Sequence, residues 1–128
     1  MLAMQTTFVH LHLHSEYSLI DGIVKIESLV QSVVNQNMPA VAITDQNNLF
    51  ALVKFYKAAL ASGIKPIVGV EVLLHCPGIA QPTSLVLLAQ NRLGHLHLSE
   101  LVSKAYLEGQ AQGFPMVDPQ WLVQHQRV

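Results

Sequence analysis

The chain predicts an α/β fold, with mostly parallel strands flanked by helices. Three observations carry that prediction. Short apolar runs of strand length alternate with amphipathic segments in the order β-α-β-α-β-β-α. Some of those runs, such as Ala40–Thr44, are continuously apolar, as in strands covered on both faces. Apolar types also make up 51% of the 128 residues while charged types make up 12%, against roughly 25% in typical soluble domains. So apolar a chain needs a core. So few charges imply more surface to hide than the chain covers alone, as in a piece of a larger protein or a member of a tight assembly.

The elements follow in order. Phe8–His14 alternates strictly and predicts a strand, with Val9, Leu11 and Leu13 on one face and His10, His12 and His14 on the other. Ser15–Gly22 is a polar connector ending in the turn signal Asp21-Gly22. Ile26, Leu29, Val30, Val33 and Val34 recur with helical period, and that helix stops near Asn37, ahead of Pro39. Ala40–Thr44 is the second strand, with Asp45 just past its end. Leu49–Ala61 is a second helix, closed by Gly63. Ile67–Leu74 is a third strand carrying Glu71, His75–Thr83 is a loop, and Leu85–Ala89 is a fourth strand. Leu98, Leu101, Val102 and Ala105 mark a third helix that ends at Gly109. His95 and His97 lie near its start and are expected to face solvent. Asp118-Pro119 opens a last short helix, with Asp as N-cap and Pro at the first helical position.

Several classes are excluded. No apolar run approaches the ~20 residues of a membrane span, and Met1–Thr7 lacks the basic and apolar regions of a secretory signal. The single Cys76 rules out an internal disulfide framework and any multi-cysteine zinc site, which makes a reduced, cytoplasmic compartment the default and Cys76 a spectator. The net charge of −1 leaves no basic footprint for direct nucleic-acid binding. There is no glycine-rich phosphate loop and no nucleophile elbow.

Histidine is the unusual component: seven, as many as lysine and arginine together. In a parallel α/β fold, sites form beyond the carboxyl ends of the strands. That rule gathers His12 and His14 from the first strand, Asp21 from the loop after it, Asp45 after the second strand and Glu71 from the third at one rim. Imidazole and carboxylate donors together suit borderline divalent metals such as Zn or Mn. Asp45 also fits a cap on the following helix, and Asp21 a turn. Glu71 is harder to explain otherwise, because a carboxylate buried in an apolar strand must be paired or metal-bound.

These residues resemble a known family. His12-Leu-His14-Ser15 with Tyr17-Ser18 and Asp21-Gly22, then Ala42-Ile-Thr-Asp45 with Asn48-Leu49, then Gly63–Glu71, are similar to the three leading motifs of the PHP (polymerase and histidinol phosphatase) domain. Leu87–Asn91 with Gly94, and Leu101–Tyr106, resemble the N-terminal region of bacterial replicative DNA polymerase III alpha subunits. The resemblance runs from about Phe8 to Leu122. It implies a distorted (β/α)7 barrel of which residues 1–128 form the N-terminal part, and a metal set of His12, His14, Asp21, Asp45 and Glu71, with further ligands beyond Val128.

Two positions depart from the family pattern. Gln46 and Ser84 stand where metal-binding members have histidine, and neither amide nor hydroxyl matches an imidazole as a donor. The resemblance therefore implies a structural and partner-docking module with a degenerate site for Zn or Mn. Its expected partners are the rest of the alpha subunit and a proofreading exonuclease subunit, with DNA reached only through the parent polymerase. The alternative is a working metallophosphoesterase: an exonuclease, a pyrophosphatase or a small-substrate phosphatase. Taken alone, the chain is expected to self-associate through uncovered apolar faces and sheet edges.

Overall fold

A computed structural model describes residues 8–18, 22–76, 78, 81–111 and 113–124. The elements are α1 (Ile26–Asn35), β1 (Ala40–Ile43), α2 (Leu52–Ala61), β2 (Lys65–Leu74), β3 (Thr83–Leu88), α3 (Arg92–Glu108), β4 (Gln110–Ala111), β5 (Phe114–Pro115) and α4 (Pro119–Gln124). The α/β layout is the expected one, and it differs from expectation in the first strand, in one strand direction, in the starts of two helices and in the short β4–β5 pair.

Residues 8–14 lie beside β1 without forming a regular strand. The Ala42 amide donates to the His10 carbonyl at 2.9 Å, and the Thr44 amide to that of Leu13 at 2.8 Å. Two steps on β1 thus match three on the first segment, so one residue is extra and the chain bends at His12. The Thr44 hydroxyl accepts from the Leu13 amide at 2.9 Å and replaces the missing ladder bond. Alternation in the sequence does not reveal such an insertion.

β1 and β2 pair in parallel, from Ala40 opposite Lys65 to Ile43 opposite Val68. β2 and β3 pair antiparallel, with Glu71 opposite Val86 and Leu73 opposite Ser84. β2 ends at Leu74 and β3 starts at Thr83, and a parallel return would need a crossover of a dozen or more residues. The sheet order is β1-β2-β3.

Period two divides the sheet into two faces. Val41 and Ile43 of β1 point to one of them and pack against Ile26, Leu29, Val30 and Val33 of α1 and Phe55 and Ala59 of α2. Val70 and Val72 of β2 continue that face and meet Leu98, Leu101 and Ala105 of α3, together with Val117. The described helices therefore occupy one face and leave the other to Thr44, Gly69, Glu71 and Val86. Gly69 is closely packed: a Cβ there would stand 2.7 Å from the Leu87 carbonyl oxygen and 2.8 Å from Thr44 Cγ2.

Local chemistry sets the helix ends. α1 ends ahead of Asn37, which takes a left-handed φ of 56° before Pro39. α2 starts at Leu52 and not at Leu49, because Phe50 and Ala51 form a turn held by the Asn48 side chain, whose Oδ1 accepts from the Phe50 amide at 3.2 Å. Gly63, with φ of 74°, follows its C-terminus. Asn91 caps α3 by accepting from the Gly94 amide at 2.9 Å, so α3 begins before the apolar stripe that marks it in the sequence, and His95 and His97 lie half-buried within it. Asp118 Oδ1 accepts from the Gln120 amide at 2.9 Å, the cap expected for α4. Among the described residues, no helix is long and apolar enough to cross a membrane.

Candidate metal centre

Glu71 lies at the middle of the face that carries none of the described helices. Its amide donates to the Asp45 carbonyl at 3.0 Å, and its carbonyl accepts from the Asn47 amide at 2.8 Å. β1 thereby continues past Ile43 as a single parallel bridge, Gln46 opposite Glu71. The peptide groups on both sides of Glu71 are satisfied, and its buried side chain is held in one place.

Two histidines reach that side chain. His14 Nε2 hydrogen-bonds Glu71 Oε2, and His12 Nε2 lies 3.2 Å from the same oxygen. The rings stand edge to face, with centroids 5.5 Å apart. His14 is mostly covered, whereas His12 has 57% of its side chain exposed, so the group opens to solvent on the His12 side. One donor atom from each of His12, His14 and Glu71 falls within 4.8 Å of the others. Both imidazoles thus approach one carboxylate from a segment that bends at His12.

The other expected ligands fare differently. Asp45 is 1% exposed and is turned to Ser15: one oxygen accepts from the Ser15 amide at 2.5 Å, the other from the Ser15 hydroxyl at 2.6 Å. It is not part of the three-donor group. Asp21 lies outside the described residues. Gln46 sits beside Glu71 in the bridge, and its amide donates to Ser18 Oγ at 3.2 Å. Ser84 is exposed on β3, two residues from the partner of Glu71.

Sequence reading missed the polar contacts behind these residues. Ser15, Ser18, Asp45 and Asn48 are all buried. Asn48 Nδ2 donates to the Tyr17 carbonyl at 2.9 Å, so the loop after β1 is fastened to residues 15–18 at several points. A usable signal was present, because a carboxylate at the end of a four-residue apolar strand needs a buried partner.

The donor set fits a divalent cation. Two imidazole nitrogens and one carboxylate oxygen are a borderline set suited to Zn or Mn. All three already point to one place, held by two backbone segments, and the carboxylate partly offsets a cation's charge. Three donors leave positions open to water or a further oxygen ligand.

Comparisons with known proteins bear on the family and the fold. The PHP domain family model matches residues 10–128. The chain is 45% identical over 122 residues to the DNA polymerase III subunit alpha of Pseudomonas fluorescens, covering 94% of this chain and 10% of that protein. It is 45% identical over 119 residues to that of Vibrio cholerae and 46% identical over 118 residues to that of Escherichia coli K12. The chain thus spans about a tenth of the length of these curated relatives. Among solved structures it resembles an amidohydrolase from Chromobacterium violaceum (TM-score 0.57, 22% identity, 75% of this chain and 34% of that one). It also resembles a protein assigned as a metal-dependent phosphoesterase from Bifidobacterium adolescentis (TM-score 0.59, 16% identity, 77% and 33%). The last two likenesses concern the fold. With its motifs and the family match across residues 10–128, the chain belongs to the PHP domain family.

Proposed function

We propose that this chain is the N-terminal part of the PHP domain of a bacterial replicative DNA polymerase alpha subunit, in the cytoplasm. There it serves DNA replication as a structural and protein-docking module with a reduced metal site. The resemblance to several alpha subunits across more than nine-tenths of the chain carries this reading. Nucleotidyl transfer belongs to the parent polymerase and not to these residues. The partners are the remainder of the subunit and a proofreading exonuclease subunit, with DNA contacted through the parent. Exposed apolar side chains such as Phe50, Val53 and Leu107 support self-association of the chain when it stands alone.

At the site, His12, His14 and Glu71 would hold one divalent cation. Such a cation supplies Lewis-acid polarisation of a phosphoryl oxygen and activation of a bound water. Glu71 provides the negative charge, fixed by the bridge to Gln46. His14 is oriented by Glu71, and His12 is the solvent-side donor. Gln46 and Ser84 offer an amide and a hydroxyl, which weakens the set for the two-metal chemistry of phosphoester hydrolysis.

The second reading, an active metallophosphoesterase, is favoured by one observation: the three donors are already gathered. The deciding experiment uses the complete alpha subunit that contains this chain. It combines primer extension, elemental analysis, and phosphatase, pyrophosphatase and exonuclease assays of wild type and His14→Ala. The expected result is DNA synthesis by both proteins and no metal-dependent hydrolysis that His14→Ala removes. Hydrolysis lost in His14→Ala would establish the second reading.

A further inference from the structure

We infer that Asp45 positions His14 and Glu71 and is not itself a metal ligand. The inference rests on the reading of His12, His14 and Glu71 as the metal centre. Three observations converge on it.

The first is how the carboxylate is used. Both oxygens of Asp45 are engaged by the residue that follows His14: the Ser15 amide at 2.5 Å and the Ser15 hydroxyl at 2.6 Å. Asp45 and Ser15 are almost completely buried, at 1% and 0% exposure. A buried carboxylate pays a large desolvation cost unless it is hydrogen-bonded, and bonds to an ionised acceptor are the strong ones. To serve as a ligand, Asp45 would have to give up one of these bonds within a packed interior.

The second is its main chain. The Asp45 carbonyl accepts from the Glu71 amide at 3.0 Å. One residue therefore holds the His14 segment through its side chain and the Glu71 strand through its backbone. The two donors are 57 positions apart in sequence, and their contact depends on a support common to both.

The third is that neighbouring contacts reinforce this hold. Gln46 donates its amide to Ser18 Oγ, and Asn48 donates to the Tyr17 carbonyl. The loop after β1 thus holds residues 15–18 from several sides, with Asp45 at the point nearest His14.

The test uses the whole chain, Asp45→Asn, and Ser15→Ala as a second variant that leaves residue 45 intact. The probe is Co²⁺ alone. Both variants are expected to weaken Co²⁺ binding about ten- to hundredfold, the usual effect of removing a group that orients a ligand. The absorption bands of bound Co²⁺ should keep their wild-type positions, because the donor atoms are unchanged. The loss in the double variant should be smaller than the sum of the two single losses, since both changes disturb the bond between the Ser15 hydroxyl and Asp45.

A metal-free measurement accompanies this. In Asp45→Asn the Ser15 amide should lose hydrogen-exchange protection, and the ring ¹⁵N signals of His14 should move. Displaced Co²⁺ bands in Asp45→Asn, with Ser15→Ala at wild-type affinity, would make Asp45 a ligand and overturn the inference. Unchanged Ser15 protection and His14 signals in metal-free Asp45→Asn would overturn it as well. Failure of the wild type to bind Co²⁺, with the metal-free signals still moving, would uphold the hold of Asp45 on His14 and remove the metal reading instead.

Discussion

His14 and Glu71, 57 positions apart in sequence, hydrogen-bond through Nε2 and Oε2 on the face of the sheet that carries none of the described helices. The same oxygen lies 3.2 Å from His12 Nε2, so one carboxylate organises both imidazoles. Glu71→Gln keeps the shape and removes the charge. It is expected to weaken Zn²⁺ or Co²⁺ binding by about a hundredfold or more, and to cost about 1.5–3 kcal/mol of stability where the lost partner is an ionised acceptor. Calorimetric titration and chemical denaturation measure the two effects separately.

Metal should stabilise the fold by mass action, because the donors are assembled only in the native chain. At a hundredfold excess of free Zn²⁺ over Kd the gain is about 2.7 kcal/mol. An upward Tm shift on adding Zn²⁺, reversed by a chelator and absent in His14→Ala, is the expected outcome. An identical shift in His14→Ala would place the binding elsewhere.

Restoring imidazoles tests how much of the site has been lost. Gln46→His with Ser84→His is expected to raise Zn²⁺ or Mn²⁺ affinity about tenfold or more. Most of the gain should come from residue 46, which is bridged directly to Glu71, whereas Ser84 is exposed and opposite Leu73. Titration of the two single variants beside the double separates the shares. No gain in either would mean that the rim geometry has been lost along with the ligands.

Gly69→Ala should destabilise the chain by about 1–3 kcal/mol, the scale of overpacking. Its new methyl meets the Leu87 carbonyl at 2.7 Å and Thr44 Cγ2 at 2.8 Å. Thr44 anchors Leu13 through its hydroxyl, so metal affinity should fall with stability. Denaturation curves and titration of one protein preparation check both.

Two phenylalanines five positions apart should behave oppositely. Phe55 is 1% exposed on the buried face of α2, and Phe55→Ala should cost about 3–5 kcal/mol. Phe50 is 66% exposed, and Phe50→Ala should stay within about 0.5 kcal/mol. Urea denaturation of the two variants gives the comparison.

Local pattern alone was enough for much of the fold. The helical stripe Ile26, Leu29, Val30 and Val33 is the buried face of α1, and Ala40–Ile43 is buried throughout, as a strand covered on both faces must be. Asp118-Pro119 opens α4 because capping depends on neighbours in sequence. Glu71 was legible for the same kind of reason: a carboxylate in a Val-rich strand needs a partner wherever the strand lies.

What needed the tertiary structure were relations between segments. The extra residue near His12 shows only against β1, because alternation is a property of one strand and register a property of two. The antiparallel direction of β3 is likewise a relation to β2, seen once the two strands are paired. Asp45 carries the same charge as a ligand or as a brace. Its role is decided by which group fills the space beside it, and in the folded chain that group is Ser15, 30 positions away. Sequence determined which side chains could bind a cation. The packing of the loop after β1 against residues 15–18 decided which of them face one another, because burial leaves a carboxylate only the partners that the fold brings to it.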